Sequence, residues 1–167
     1  MLLSEFNLAD APAIHTILKQ CVHIDRWATE LVQNRPYTSK ESLMQYAEQQ
    51  AKTWQWNEIL QALNTHPRIG EKKAQSELSA KEQAFSNREQ SALSQDQETL
   101  AALFRGNVAY ENKYGFIFLI KASGLNSQQI LTALNQRLTH DADTEKRIVH
   151  QQLLEIALLR LSQEVNT

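Results

Sequence analysis

The sequence predicts an all-α protein, a single compact helical domain of about eight helices, and three observations carry that prediction. Glycine and proline are scarce, 4 and 3 in 167 residues, which leaves little to build the tight turns of a β architecture. Apolar residues recur at three- and four-residue steps through most of the chain, while a strand-like run occurs once. Helix-start signatures also punctuate it, with Ser, Thr or Asn followed three residues later by Glu or Gln. A length of 167 residues suits one domain with one substantial core, spanning 1–167.

Each element follows in order. Residues 2–8 read as an irregular lead-in. Asp10 is placed to cap a helix over about 10–22, with Pro12 tolerated in its first turn. Ile14, Ile17, Leu18 and Cys21 form its apolar stripe, so the lone cysteine reads as a buried structural thiol. A second helix over about 25–34 turns Trp27, Ala28, Leu31 and Val32 to one face and stops before Pro36. Thr38 with Glu41 starts a third, in which Leu43, Ala47 and Ala51 recur at four-residue steps. A fourth carries Trp56, Ile59, Leu60 and Leu63, and Asn64 stops it. Residues 71–78 are polar, lack a period and read as loop.

Ser79 with Glu82 starts a short helix bearing Ala84 and Phe85, with Glu89 and Gln90 near its end. Ser94 with Gln97 starts the clearest helix, on which Leu100, Leu103, Phe104, Asn107, Val108 and Tyr114 keep helical spacing. Asn107 interrupts that apolar stripe and must find partners if buried. Gly115 ends the helix, and Phe116, Ile117, Phe118, Leu119 and Ile120 follow as the one extended run. With no second strand to pair with, its backbone groups must bond to helix ends, side chains, water or a ligand. It is either a core-filling connection or a ligand-facing rim. Asn126 with Gln129 starts a helix bearing Ile130, Leu131, Leu134 and Leu138. A last helix, over about 142–163, sets Val149, Leu153, Ile156 and Arg160 on one line. That arginine either finds a partner inside or carries its charge out to solvent.

Composition excludes several classes. With 17 basic and 19 acidic residues the net charge is −2, and no block of like charge suggests a nucleic-acid surface. One cysteine rules out an intrachain disulfide and a thiolate metal cluster. No apolar run reaches the length of a membrane span, and no signal peptide is seen, so a cytoplasmic protein is expected. There is no GxSxG, P-loop, GxGxxG or HExxH motif, and the histidine spacings suit no helical metal site. Catalysis is therefore expected to use side chains and backbone, with no cofactor and no metal.

Thr65-His66-Pro67-Arg68-Ile69-Gly70 stands apart from both flanking helical patterns. Pro67 lacks an N–H and biases His66 away from the α region, and Gly70 supplies a permissive backbone. His66 is thus expected on a stiff loop, the most purpose-built setting among five histidines. Together with Glu89-Gln90, Arg160 and the extended run, it supplies a proton carrier, a carboxylate, an amide, a cation and a row of backbone groups. That inventory suits a small, anionic, hydrogen-bond-rich substrate.

In order along the chain, these residues resemble the OHCU decarboxylase family, OHCU being 2-oxo-4-hydroxy-4-carboxy-5-ureidoimidazoline. The matching pieces are Arg26-Trp27-Ala28 with Leu31 and Arg35-Pro36, then His66-Pro67-Arg68-Ile69-Gly70, then Ser86 with Glu89-Gln90. They continue through Asn107, Tyr110 and Tyr114-Gly115-Phe116-Ile117-Phe118 to Glu155-Ile156 and Arg160-Leu161. Two departures stand out: Tyr114 and Ile117 replace the Phe and Pro often found in the family, and the polar stretch before Ser86 is longer than in some relatives. The last four residues also lack the Ser-Lys-Leu peroxisomal signal of some eukaryotic relatives.

The resemblance implies cofactor-free decarboxylation of OHCU to (S)-allantoin in urate breakdown. It implies His66 as the catalytic histidine with Glu89 as partner, and Pro67, Ser86 and Gln90 lining the site. Arg160 would hold the substrate carboxylate or a ring oxygen, and backbone around Phe116, Ile117, Phe118 and Leu119 would bond the ring. The expected partner is that small molecule, with no nucleic acid and no membrane, and a homodimer is compatible. The competing readings are a non-catalytic helical interaction protein and a helical enzyme acting on a related ureide.

Overall fold

In the computed structural model, residues 1–71, 78–94 and 96–167 are described. Most of the expected 71–78 loop lies outside them. The described residues form nine α-helices: α1 (Leu3–Leu8), α2 (Ala11–Cys21), α3 (Asp25–Gln33), α4 (Lys40–Ala51), α5 (Trp56–Leu63), α6 (Ala80–Glu89), α7 (Gln97–Tyr114), α8 (Ser127–Arg137) and α9 (Ala142–Glu164). No strand forms among them beyond an isolated bridge between Leu2 and Asn166. The all-α expectation holds.

The chain packs as two compact units, Met1–Ala62 with Leu153–Thr167, and Leu63–Gln152. In the first unit, α2 packs on α3 and α3 on α4. Trp27 is fully buried there, and its indole N–H donates to the Ala47 carbonyl at 3.1 Å. Both chain ends belong to this unit, and the Leu3 N–H donates to the Asn166 carbonyl at 2.8 Å. In the second unit α7 packs on α8. The contact is close: a Cβ added at Gly106 would fall 2.2 Å from Leu134 Cδ2.

Four local expectations are corrected. The lead-in is a helix, α1, because the Glu5 carboxylate accepts the Leu2 N–H at 2.7 Å and Phe6 is fully buried. Arg35 closes its far end, donating to the carbonyls of Phe6 at 2.8 Å and Ala9 at 2.7 Å. Ser39 rather than Thr38 caps α4, exchanging side-chain and backbone bonds with Ser42. Asp96 rather than Ser94 caps α7, accepting the Thr99 N–H at 2.9 Å, while the Ser94 hydroxyl braces that carboxylate. Phe104 and Val108, expected on the buried stripe, are 57% and 42% exposed. They lie one residue past Leu103 and Asn107, and about 100° of helix rotation turns them outward. The boxes at Ser79 with Glu82 and Asn126 with Gln129 form as read, and Gly115 ends α7 at φ +83°.

After Gly115 the chain is extended without pairing. Phe116, Phe118, Leu119 and Ile120 are all buried, so the run does fill core. One of its backbone groups, the Leu119 carbonyl, accepts from Arg137 at 2.5 Å, and the N–H of Lys121, just past the run, donates to Gln152 at 2.7 Å.

Candidate active site

The loop after α5 is fixed at almost every residue. The His66 N–H donates to the Leu63 carbonyl at 3.1 Å, which turns the chain immediately after α5. Pro67 then sets a rigid φ. The Ile69 carbonyl accepts from Asn107 Nδ2 at 3.0 Å, which supplies one of the partners that this buried amide was expected to need, while its Oδ1 has none among the described residues. Gly70 has φ +85°, where a side chain is strained, and its N–H donates to Gln90 Oε1 at 3.1 Å. Arg68 grips Glu111 on α7 with two bonds, 2.7 and 2.9 Å, and that carboxylate raises the guanidinium above its ordinary pKa. The side chains of Gln90, which caps α6, and of Asn107 and Glu111 on α7 therefore hold the loop.

His66 is 6% exposed, the only buried histidine of the five. The next residue, Pro67, lines a cleft of about 280 Å³ together with Gly70, Gln83, Ser86 and Gln90, among others, and His66 is not part of that lining. The α6 residues come from one face, because positions 83, 86 and 90 lie within about 20–60° of one another around a helix. Ser86 is 5% exposed, and Glu89 is half-buried at the last position of α6. The structure thus brings together Pro67, Ser86 and Gln90 of the expected set. Gln83 was not read from the sequence, although its place one turn before Ser86 could have shown it.

Arg160 belongs to the first unit and is 5% exposed. Its Nη1 donates to the Cys21 carbonyl at 3.4 Å, so the charge is kept inside instead of reaching solvent. Cys21 itself is a buried thiol, as its stripe predicted. The first unit also has a larger cleft, about 480 Å³, lined by His23, Arg26, Glu30 and Glu58 among others. Arg26 is already committed there, donating to both Glu58 oxygens at 3.0 and 3.1 Å. Volume favours that cleft. The chemistry favours the smaller one, which is lined by the rigid loop that carries the buried histidine.

A buried histidine on a proline-stiffened loop that also lines a small polar cleft is the kind of arrangement that helical enzymes of small-molecule chemistry use. The chain belongs to the OHCU decarboxylase family, whose model matches residues 7–162.

Among its relatives is the 2-oxo-4-hydroxy-4-carboxy-5-ureidoimidazoline decarboxylase of Haloferax volcanii, 27% identical over 99% of this chain and 96% of that protein. The uric acid degradation bifunctional protein of Bacillus sp. (strain TB-90) is 27% identical over 98% of this chain, which spans 32% of that longer protein. The corresponding bifunctional protein TTL of Arabidopsis thaliana is 28% identical over 86% of the chain, which spans 45% of its length. Among solved structures, an OHCU decarboxylase crystallised in the presence of (S)-allantoin superposes with a TM-score of 0.70 at 26% identity. That match covers 87% of this chain and 94% of the other. An (S)-allantoin synthase shares the fold, with a TM-score of 0.73 at 17% identity over 100% of this chain and 55% of that one.

Proposed function

We propose that this chain decarboxylates OHCU to (S)-allantoin and CO2 in urate degradation, with no cofactor. The observation that carries the reading is His66, buried on the rigid loop whose Pro67 and Gly70 line a cleft with Ser86 and Gln90, in a chain of this family.

The substrate makes a cofactor unnecessary. Its carboxylate sits on a ring carbon that also bears a hydroxyl and adjoins a C=N bond. When the bond to the carboxylate breaks, its electron pair moves into that C=N, CO2 departs, and an enamine-like intermediate remains. Uptake of one proton on carbon completes the reaction. The protein needs to orient the carboxylate, stabilise the developing charge and deliver that proton.

An imidazole with an ordinary pKa of about 6.5 exchanges protons in either direction near neutral pH. In this reading His66 is the proton carrier and Glu89 orients it. Ser86, Gln90 and Pro67 line the site, and Arg160 holds the carboxylate or a ring oxygen with its planar fork of donors. The backbone of Phe116, Ile117, Phe118 and Leu119 bonds the ring. A cytoplasmic location and a homodimer belong to the same proposal, and light scattering on the purified chain reads the assembly.

The test supplies freshly generated substrate and follows its ultraviolet decay against a blank, since the unaided reaction also proceeds. The expected result is strong acceleration by the wild type and its loss in His66→Asn with unchanged circular dichroism. General acid–base contributions of about 10²–10⁴-fold set the scale. Wild-type protein no faster than the blank defeats the proposal, and a near-normal His66→Asn removes His66 from its role.

A further inference from the structure

Arg137, the last residue of α8, is 6% exposed and reaches three partners at once. Its Nε donates to Glu145 at 2.7 Å, Nη1 to the Leu119 carbonyl at 2.5 Å, and Nη2 to the Tyr110 hydroxyl at 3.4 Å. The guanidinium also lies 4.6 Å from the centre of the Phe118 ring, which packs edge-on against Tyr110 at 5.3 Å. Glu145, fully buried, accepts the Tyr110 hydroxyl at 2.5 Å and faces His140 Nδ1 at 2.9 Å. Burial, and then the Glu145 carboxylate, push the Tyr110 phenol above its ordinary pKa, so it stays a neutral donor. The resemblance to known decarboxylases gave Arg137, Glu145, Tyr110 and His140 no role in the site.

A buried ion pair is weak support for stability, because an apolar pair of similar volume often does as well. What a planar five-donor fork adds is direction. Here it holds one main-chain carbonyl and one aromatic ring of the same extended run, which has no strand partner to hold it. Without that grip, the Leu119 carbonyl loses its hydrogen bond and the Phe118 ring the cation above it.

We infer that Arg137, clamped by Glu145, is a positioning residue that fixes the 116–119 backbone against the substrate ring and so determines which face of the intermediate is protonated. The inference rests on the proposed function, in which that backbone bonds the ring. Arg137 touches no substrate in this account. Loosening the run lets the ring tilt, and a tilted ring presents both faces to the acid.

The experiment compares wild type with Arg137→Lys and with the double variant Arg137→Gln/Glu145→Gln, which leaves no unpaired buried charge. Lysine keeps the charge opposite Glu145 but cannot hold three acceptors in a plane. Three readouts are taken: the KM and kcat separately, the enantiomeric excess of allantoin after subtracting the racemic blank, and backbone amide exchange at 117–120. The expected result is a KM about tenfold higher, the scale of one lost charge-assisted hydrogen bond, with reduced enantiomeric excess and faster exchange confined to that run. Loss of folded fraction alone lowers kcat and leaves both KM and enantiomeric excess unchanged. Wild-type KM and enantiomeric excess in both variants overturn the inference, as does failure of both to fold, which makes the pair merely structural. If the wild type itself does not accelerate the reaction, the proposed function has failed instead. Amide exchange still reads the clamp in that case, and unchanged exchange rejects it.

Discussion

Replacing Gly70 with alanine should damage both stability and turnover, and the size of each effect follows from geometry. At φ +85° a residue with a Cβ is strained, by about 1–2 kcal/mol for the left-handed region. The added Cβ would also meet Leu103 Cδ1 at 3.3 Å and Leu100 Cδ2 at 3.6 Å. Leu103 is 1% exposed and would have to give by a few tenths of an ångström. Against this, alanine lowers the entropy of the unfolded chain by about 0.4–1 kcal/mol. The net loss is about 1 kcal/mol, which lowers the melting midpoint by about 2–4 °C in a chain of this size.

The same substitution reaches the cleft, because the Gly70 N–H holds Gln90 Oε1 at 3.1 Å and the loop carries His66. Misplacement of reacting groups by about 1 Å can cost about 10²-fold, so kcat/KM should fall by roughly ten- to a hundredfold. Gly124, at φ +81° with nothing within 4 Å of an added Cβ, is the control. Gly124→Ala should show a similar midpoint loss with normal turnover. Thermal melting and ultraviolet decay of the substrate, run on both variants, read the two effects. A Gly70→Ala protein with wild-type midpoint and turnover would refute the account of a strained, site-bearing loop.

Three further outcomes are expected. Gly106→Ala gains about 0.8–1.0 kcal/mol of helix propensity but places a carbon 2.2 Å from the buried Leu134. Overpacking of about 1–3 kcal/mol outweighs that gain, so denaturant melting should show net destabilisation, and a more stable variant contradicts it. The Arg26 guanidinium holds the Glu58 carboxyl below its ordinary value of 4.5, against the opposing effect of burial. A depressed folded-state pKa gives stability that is present above the unfolded value and lost as pH falls through the folded one. Stability of the wild type should therefore decline below about pH 4.5, and Glu58→Gln should flatten that acid limb; parallel pH profiles reject the linkage. Arg160→Lys should fold yet lose roughly tenfold or more in kcat/KM, because a point charge cannot replace a planar fork. Normal kinetics in that variant would remove Arg160 from the site.

What was legible in the sequence was local. Asn126 with Gln129 and Ser79 with Glu82 announce their helices because cap and partner lie three residues apart, and Gly115 ends α7 for the same kind of reason. Helix α1 was missed because its support is partly distant: Arg35 reaches back to Phe6 and Ala9, and Asn7 pairs with the backbone of Tyr37. The choice of Ser39 over Thr38 and of Asp96 over Ser94 turns on one or two residues at a helix start, where neighbouring hydroxyls and carboxylates compete for the same N–H.

In the candidate site, Pro67 and Gly70 gave away the stiff loop, and the family resemblance, not spacing, named Ser86 and Gln90 in one wall of the cleft. The pairs that hold these parts in place were not visible. Arg68 with Glu111 and Arg137 with Leu119 are 43 and 18 residues apart, and no periodicity marks a residue for a partner on another element.

The central claim is tested most directly by the optical activity of the product. Decarboxylation creates a stereocentre when the intermediate takes up its proton, and in free solution that proton arrives on either face. A preference of about 1.4 kcal/mol between faces already gives roughly tenfold bias. Circular dichroism of a fresh reaction, read before allantoin racemises, should show dextrorotatory (S)-allantoin accumulating faster than in the blank. Racemic product, even with accelerated loss of substrate, would mean that the intermediate leaves unprotonated, and would contradict the roles given to His66 and Glu89.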